Sequence, residues 1–323
     1  MIDDLDKEIL KSSKDLIKEK SRLRGYISLG TILIDWIIIS VCIYTSVKTQ
    51  LNPFITAISI FVIGTRQHAL FILMHEATHN RLSNNSKFND FLGDFCCAFP
   101  LFFSNLGYRL NHLPHHMHVN SSKDPDWARK KGLKDWEFPK SKAEIGKVFL
   151  KYAVGFGFLE MLMFIKIIFF VAKLPTRHRV SQAVFYIPVL SGVVYFDAFL
   201  EVFALWIVPY AMVLLPINRF RIIAEHFGVE YNRELDHSRN VITNKIEEFI
   251  FAPHGANYHM LHHLFPSIPF YNLKALHDRL MNNKIYRKYG HHSAGYLMGG
   301  DSSVINEVKQ NASKISPSME RVA

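Results

Sequence analysis

Cysteine is scarce in this chain of 323 residues, and its three cysteines do not form a metal-binding pattern. Cys42, Cys96 and Cys97 lie in apolar sequence, which excludes the cysteine motifs of iron–sulfur clusters and structural zinc sites. The chain also lacks the G-x-G-x-x-G fingerprint of a dinucleotide-binding domain and the H-P-G-G sequence of a fused cytochrome-like domain. Any electrons that this protein uses must therefore come from a separate carrier.

Hydrophobic residues make up 49% of the chain, and they are gathered into long blocks instead of being spaced periodically. Two blocks, 26–47 and 53–73, each approach the roughly 20 residues that cross a hydrocarbon core of about 30 Å. A third block is long enough for a hairpin of two crossings, 181–197 and 200–216. We predict an all-α integral membrane protein with four transmembrane helices. The alternative is a soluble protein with buried helices, because Asp35 and Arg66 interrupt two of the blocks.

Two further apolar segments do not fit a simple crossing. Residues 91–103 are too few to span a membrane, so we expect a buried or re-entrant segment. Residues 152–172 are long enough but contain two charged residues, and the segment after them is basic. Because positively charged loops stay in the cytoplasm, we place 152–172 in the cytosolic interface and both termini in the cytosol.

The sequence divides into three regions without internal repeats. Residues 1–24 predict a cytosolic amphipathic helix, residues 25–285 form the membrane domain, and residues 286–323 are a polar tail that we expect to be disordered from Ser302 onward. The formal net charge of +10 is concentrated in segments that we place in the cytosol. We expect a multi-pass protein of a bacterial inner membrane and no nucleic-acid partner.

Nine histidines fall into three short clusters and one single site, each just beyond an apolar run. The clusters read H-E-A-T-H, H-L-P-H-H and H-M-L-H-H, and the single site lies in A-E-H-F-G. The nine residues are His75, His79, His112, His115, His116, His226, His259, His262 and His263. Spacings of three and four residues place side chains on one helix face, and the predicted topology brings all nine to one membrane face. The sequence therefore predicts that these imidazoles converge on metal.

The type and number of ligands restrict the metal. Neutral imidazole suits iron, zinc, copper or nickel, and nine ligands exceed the needs of one four- to six-coordinate ion, so two ions are implied. A zinc hydrolase needs only about three protein ligands, and the Glu-x-x-His pairs of soluble di-iron bundles are missing. A histidine-rich di-iron centre in a cytosolic cap is what remains. The alternative for any single histidine is an interfacial or helix-capping residue.

With these clusters, the chain resembles the membrane fatty acid desaturase and hydroxylase superfamily. The H-x-x-x-H, H-x-x-H-H and H-x-x-H-H pattern is matched in order, and the likeness continues through R-L-N-H-L-P-H-H-M-H-V-N-S-S-K-D-P-D from Arg109 and F-A-P-H-G-A-N-Y-H-M-L-H-H from Phe251. It extends over residues 27–280. The additional histidine of the family corresponds to His226. An asparagine that helps to hold a metal-bound water in some branches is Ile222 here, so that arrangement is not carried over.

The resemblance implies a cofactor and a reaction. Two iron ions held by the nine histidines would use O2 as co-substrate to remove hydrogen from an unactivated carbon, and the first expectation is desaturation of an acyl chain held in an apolar tunnel. A hydroxylase or ketolase, or a desaturase of a carotenoid, alkane or small metabolite, would share every metal ligand. His259 in place of a glutamine argues against the front-end desaturase branch. A membrane metal carrier is a further alternative, although it would place ionisable residues within the spans.

Residues near the clusters and on the basic segments complete the expectations. The imidazole N–H that faces away from a metal usually donates to an oxygen, and the candidate partners are Glu76, Asp94, Asp124, Asp126, Glu225, Asn120 and Asn257. Three histidines outside the cluster spacing, His68, His118 and His254, are expected to be structural. Basic residues in 7–24 and 129–142 could dock an acidic ferredoxin or cytochrome as electron donor. The alternative is that they reflect the positive-inside rule and attraction to anionic lipid.

Overall fold

The structure, a computed structural model, describes residues 2–119, 121–229, 235 and 237–310. The α-helices are α1 Ile2–Ser12, α2 Lys14–Lys20, α3 Gly25–Lys48, α4 Pro53–Thr78, α5 Ser86–Phe91, α6 Asn105–His118, α7 Pro125–Lys130, α8 Lys142–Lys151, α9 Gly157–Lys166, α10 Thr176–Tyr195, α11 Phe199–Val202, α12 Leu215–His226, α13 Lys245–Phe251, α14 His259–Leu264, α15 Phe270–Leu280, α16 Lys284–Tyr289 and α17 Val304–Gln310. Two short parallel strands, β1 Asn240–Val241 and β2 His292–Ser293, pair with each other.

Other helical types connect several of these elements. The π-helical segments are Leu92–Ala98, Tyr152–Phe156, Ile167–Val171, Phe203–Ile207 and Tyr210–Leu214. The 3₁₀ turns are Phe99–Leu101, Lys134–Trp136, Pro253–Gly255 and Gly300–Ser302.

Four helical stretches are long and apolar enough to cross a membrane: Gly25–Lys48, Pro53–Thr78, Lys142–Lys166 and Phe199–His226. The prediction of an all-α membrane protein with four such helices is therefore confirmed. Three stretches contain the predicted spans at 26–47, 53–73 and 200–216.

The fourth stretch differs from the predicted set of spans. Lys142–Lys166 overlaps the segment that the sequence places in the membrane interface, whereas α10, which contains most of the predicted span 181–197, is not among the four. The first turn of α10 reads T-R-H-R, which shortens its apolar part. Lys142–Lys166 is interrupted, because Gly155 has a φ of 109° and a ψ of −3° that no α-helix contains. Which of these two helices crosses stays a prediction.

The chain divides into two compact units. The first, which we call the membrane-helix unit, consists of Arg24–Arg109 and Phe149–Asn218. The second, the histidine unit, consists of Met1–Leu23, Leu110–Val148 and Arg219–Ala323.

In the membrane-helix unit, α3 and α4 form a hairpin that accounts for the charged residues within their apolar sequences. Asn52 caps α4 by accepting hydrogen bonds from two backbone N–H groups, and Pro53 follows at the first helical position, where it is favoured. Arg66 donates to Asp35 over 3.1 Å, and both side chains are buried. The two charges that interrupt the blocks therefore satisfy each other inside the unit.

Residues 91–103 are largely buried in the same unit, as expected for a segment too short to span. The indole N–H groups of Trp36 and Trp206 donate to the carbonyls of Cys96 and Pro100 over 2.9 and 2.8 Å. The helical path ends at Phe102, whose left-handed φ of 58° reverses the chain.

The histidine unit joins the N-terminal helices to helices that follow much later in the sequence. Ile9 of α1 is buried in a core with residues of α14, α15 and α16, and the side-chain amide of Asn272 donates to the carbonyl of Lys20 over 2.6 Å. Tyr286 belongs to this core, and residues 287–310, which the sequence predicts to be part of a polar tail, include further buried side chains. Tyr286, Tyr296 and Val308 are fully buried. Their wide spacing gives no apolar run in the sequence. Residues 311–323 lie outside the described residues.

Candidate metal centre

Three helices of the histidine unit carry seven of the nine predicted ligands. Helix α6 carries His112, His115 and His116, α12 ends at His226, and α14 carries His259, His262 and His263. Five of the seven are buried, whereas His116 and His263 are partly exposed. The i, i+3 and i, i+4 spacings direct the histidines of each helix to one side.

One group of imidazoles is formed by His112 and His116 of α6 together with His262 of α14. The Nε2 atoms of His112 and His116 are 3.0 Å apart, and those of His116 and His262 are 3.2 Å apart. A ligand atom from each of the three lies within 4.8 Å of the others.

A second group is formed around His226. Its Nε2 atom lies 2.8 Å from that of His259, which in turn lies 3.0 Å from that of His263. His115 joins this group, since ligand atoms of His115, His226 and His263 lie within 4.8 Å of one another. The two groups are adjacent, because the rings of His116 and His263 stack with their centroids 4.1 Å apart.

These separations fit nitrogen ligands that share an ion. Two imidazole nitrogens bound at about 2.1 Å with a right angle between them are roughly 3.0 Å apart, which agrees with the four Nε2–Nε2 distances. Burial and the neighbouring imidazoles of His116 and His259 hold the pKa of His263 well below its usual range. The ring is therefore neutral at physiological pH, which is the form that binds metal. Two neighbouring groups of imidazoles suit a pair of transition-metal ions.

Oxygen acceptors on the far side of three rings turn the Nε2 atoms toward the centre of each group. The Nδ1 atom of His115 lies 3.0 Å from both carboxylate oxygens of Asp124. The Nδ1 atom of His259 lies 3.3 Å from Glu225, and that of His226 lies 3.4 Å from the carbonyl oxygen of His237. Such contacts fix the tautomer and the orientation of metal-binding histidines.

Two of the seven predicted oxygen or amide partners, Asp124 and Glu225, thus lie where expected. Glu76 is 3.8 Å from the Nδ1 atom of His75, which is beyond hydrogen-bonding distance. Three others bind elsewhere: Asp126 accepts from Asn111, Asp94 accepts from the backbone of Asn105, and Asn257 donates to the carbonyl of Val241. Asn120 lies outside the described residues.

Two residues that support the second group were not predicted from the sequence. Arg221 donates to Glu225 over 2.6 Å, and both side chains are buried. Their i, i+4 spacing in R-I-I-A-E-H is a signal that could have predicted this pair. The carbonyl of His237 could not have been found, because a backbone acceptor leaves no signature in the sequence.

His75 and His79 belong to the membrane-helix unit. His75 lies in the last turn of α4 and is buried, His79 caps the helix, and their ring centroids are 5.1 Å apart. Both therefore occupy one helix end, as their spacing predicts. That they complete the metal centre stays a prediction.

The three histidines outside the cluster spacing occupy different positions. His68 is buried in the middle of α4, and His118 is the last residue of α6. His254 has a left-handed φ of 56° and lies with its ring against Phe270. None of them is a member of the candidate ligand groups within the described residues.

A cavity of about 350 Å³ lies beside the partly exposed rings of His116 and His263. Its lining is mixed, with the polar side chains of Ser121 and Lys123 and the apolar side chain of Leu264. The partly exposed rings of both groups therefore face a space large enough for a small molecule.

The apolar helices and the histidine groups are those of a candidate metal-binding membrane protein, and comparison with known proteins specifies the family. The family model "Fatty acid desaturase" matches residues 52–296, which is most of the chain, so this protein belongs to the fatty acid desaturase family. The resemblance predicted from the three histidine clusters is confirmed.

The relatives are desaturases of different kinds. The chain is 28% identical to dihydrorhizobitoxine desaturase of Bradyrhizobium elkanii over 94% of its own length and 90% of that protein. It is 26% identical to an endoplasmic reticulum omega-3 fatty acid desaturase of Vigna radiata var. radiata, over 65% of this chain and 60% of the relative. It is 22% identical to a chloroplastic omega-6 fatty acid desaturase of Glycine max, over 68% of this chain and 55% of the relative.

Proposed function

We propose that this protein is an O2-dependent desaturase whose histidines hold two iron ions. The ligands are the nine predicted residues: His75, His79, His112, His115, His116, His226, His259, His262 and His263. The observation that carries this proposal is the pair of adjacent imidazole groups with Nε2 atoms 2.8–3.2 Å apart. The family match supports the same reaction.

The residues of the chain would serve the reaction by holding the metal ligands in position. When bound, the iron pair would supply activation of O2 and removal of hydrogen from an unactivated carbon. Asp124 and Glu225 would keep the rings of His115 and His259 in one orientation. Formation of one double bond consumes one O2, two electrons and two protons and releases two waters. The electrons come from a separate carrier protein.

An acyl chain is the first candidate substrate. The family model and the two plant relatives support it, since both relatives are named as fatty acid desaturases. A long apolar substrate would also match a protein whose spanning helices are built largely from aliphatic and aromatic residues.

A small metabolite is the second candidate, and one specific comparison favours it. The Bradyrhizobium relative, named for a small substrate, aligns over nearly the whole of both chains, whereas the plant relatives align over about two thirds of this chain. The partly polar cavity beside His116 and His263 would admit such a substrate from water. A hydroxylase or ketolase with the same ligands would be distinguished by its product.

We further propose a membrane topology in which both termini and the histidines face the cytosol of a bacterial inner membrane. The basic segments around residues 7–24 and 129–142 support this orientation. A single cysteine placed at Asp197, in a variant without the three native cysteines, should react with a membrane-impermeant maleimide added to intact spheroplasts. Labelling only after lysis would contradict the topology.

The function is tested by lipid and metabolite profiling of cells that express the wild type or the His262→Ala variant. A matched control is His291→Gln, because His291 contacts Glu307 and not a predicted ligand. We expect a new double bond with the wild type and the control but not with His262→Ala. The product carrying that bond identifies the substrate. A new hydroxyl group would favour the hydroxylase, and identical profiles would contradict the proposed oxidation.

A further inference from the structure

An aromatic cluster in the histidine unit reaches from a predicted ligand to the protein surface. Phe227 is buried and directly follows His226. Its ring centroid lies 5.8 Å from Trp127, 5.2 Å from Trp136 and 5.0 Å from Phe138. Both tryptophans are partly exposed. Each of these partly exposed tryptophans therefore contacts Phe227 directly, and Phe227 is the neighbour of the predicted ligand His226.

The segment that carries these tryptophans has an excess of positive charge. Residues 123–142 contain seven lysines and arginines and four acidic residues. Two of the acidic residues form ion pairs within the unit: Asp126 lies 3.7 Å from Lys130, and Asp135 lies 3.2 Å from Arg219. With seven basic and four acidic residues, the segment carries an excess of three positive charges.

The outer part of this segment combines exposed charge with exposed apolar area. Lys131 and Lys134 are exposed. Leu133, which lies between them in the sequence, has 52% of its area exposed, and Trp136 follows two residues after Lys134. A small apolar centre with a charged rim is the composition of transient protein interfaces. Electron-transfer complexes use the smallest of these, below about 1,200 Å².

Two cations lie close to the ring of Trp136. Lys130 Nζ lies 5.0 Å and the Arg219 guanidinium carbon 4.5 Å from the indole centroid. Positive charge over the ring disfavours removal of an electron from it. Trp136 is therefore suited to making contact with a partner and not to carrying a radical.

We propose that Trp127, Lys131, Leu133, Lys134 and Trp136 form the docking surface of an acidic, one-electron carrier protein. The inference rests on the proposed function, which requires two electrons per turnover. Each docking event would oxidise one reduced carrier and reduce the metal centre by one electron, so two carriers are consumed for each double bond. A carrier docked on the two tryptophans would lie close to His226, because both tryptophans contact Phe227.

An anionic membrane surface is the other occupant that lysine, leucine and tryptophan could attract. The aromatic cluster favours the carrier. A lipid surface would gain nothing from the contact that Phe227 makes between the surface tryptophans and the neighbourhood of His226. A redox partner benefits directly, since electron transfer weakens steeply with distance.

The test uses full-length protein with its iron, in nanodiscs of phosphatidylcholine alone, and pre-reduced plant-type [2Fe–2S] ferredoxin as the acidic probe. Stopped-flow mixing measures the second-order rate at which the oxidised protein reoxidises the ferredoxin. The variant is Lys131→Glu/Lys134→Glu. The matched control is Lys284→Glu/Lys288→Glu on α16, which makes the same charge change at two other exposed positions of the same unit.

We expect the docking-surface variant to react about 10-fold more slowly than the control at low salt, with the difference closing as salt screens the charges. Reduction by dithionite and the iron content should be unchanged. Equal ferredoxin rates for the two variants would overturn the inference. So would weaker binding to phosphatidylserine vesicles with an unchanged ferredoxin rate, which would assign the surface to the membrane.

A second variant separates contact from charge. Trp136→Leu keeps both lysines but removes the flat ring, so it should lower the ferredoxin rate at all salt concentrations while dithionite reduction stays normal. An unchanged rate would remove Trp136 from the docking surface. Protein that contains no iron or makes no product would instead contradict the proposed function, and the two failures are therefore distinguishable.

Discussion

The Nδ1 atom of His115 lies 3.0 Å from both carboxylate oxygens of Asp124, and both side chains are buried. Asp124 has a second task, because its Oδ1 atom accepts the backbone N–H of Asp126 over 2.8 Å and caps α7. The carboxylate therefore ties the orientation of a predicted metal ligand to the beginning of the helix that carries Trp127.

Replacing Asp124 with Asn should weaken iron binding without unfolding α7. Asn caps helices as well as Asp does, but it lacks the charge that holds the His115 ring, and loss of such a partner costs roughly 10- to 100-fold in metal affinity. Iron retained after dialysis against a graded series of chelator concentrations measures the effect. Asp278→Asn, at an exposed ion pair with Lys274, is the control. Equal iron retention in the two variants would show that Asp124 does not support the centre.

Close packing of α9 predicts a strong effect at Gly157. A Cβ atom at this position would lie 1.9 Å from the carbonyl oxygen of Ala211, whereas a Cβ atom at Gly192 in α10 would meet nothing within 4 Å. Gly157→Ala should therefore destabilise the protein by about 1–3 kcal/mol, and Gly192→Ala should stabilise it slightly through helix propensity. Thermal unfolding in detergent compares the two variants. A Gly157→Ala protein as stable as Gly192→Ala would be inconsistent with this packing.

Glu247 holds the loop after β2 through three consecutive backbone groups. The N–H groups of Tyr296, Leu297 and Met298 donate to its carboxylate over 2.8–2.9 Å. Hydrogen bonds to a charged acceptor are worth about 1.5–3 kcal/mol each, so Glu247→Ala should speed amide exchange in this loop by at least roughly 10-fold. Hydrogen–deuterium exchange with mass spectrometry measures it.

The neighbouring Glu248 supplies the control for that experiment. Its carboxylate pairs with the exposed Lys245 over 2.7 Å, and exposed pairs contribute little. Glu248→Ala should leave exchange in the loop unchanged. Equal acceleration by both variants would mean that α13 as a whole, and not the Glu247 carboxylate, protects the loop.

His277 makes stability depend on pH. Burial, with a smaller contribution from His292, lowers its pKa to about 4, and its Nδ1 atom accepts the hydroxyl of Tyr286 over 2.8 Å. Unfolding restores the ordinary pKa of about 6.5. Between these values the unfolded chain binds more protons, so stability is complete above pH 6.5 and falls as the pH decreases toward 4.

The expected loss is about 1.5 kcal/mol between pH 6.5 and pH 5, because the full slope of about 1.36 kcal/mol per pH unit applies only once the unfolded histidine is protonated. Unfolding temperatures of the wild type and His277→Gln at both pH values isolate this contribution, because the other histidines titrate in both proteins. The variant should lose less stability on acidification. A loss equal to that of the wild type would show that His277 is not held neutral.

Much of the site could be predicted from the sequence because its chemistry is local. The spacing of His112, His115 and His116, or of His259, His262 and His263, is fixed by one helical turn, and the structure places each set as the period requires. Apolar length likewise predicted three of the four stretches that are long and apolar enough to span a membrane. These inferences need only the geometry of a helix and the thickness of a membrane.

The remaining features depend on contacts that no local pattern records. The break at Gly155 could not be predicted, because a glycine in an apolar run gives no sign of a φ of 109°. Asp35 and Arg66 pair with each other and so join two helices. In the sequence, each of these charged residues taken alone only weakens the prediction of a membrane span. Tyr286 and Val308 are buried by tertiary packing in a region of polar composition.

Metal analysis of protein purified from iron-supplied cells, with activity measured after exchange to zinc, decides whether the imidazole groups hold redox-active iron. We expect about two irons per chain, as two groups of imidazole ligands require, and loss of product on exchange to zinc, which has no redox chemistry. Zinc as the native metal, with activity retained in its presence, would contradict it.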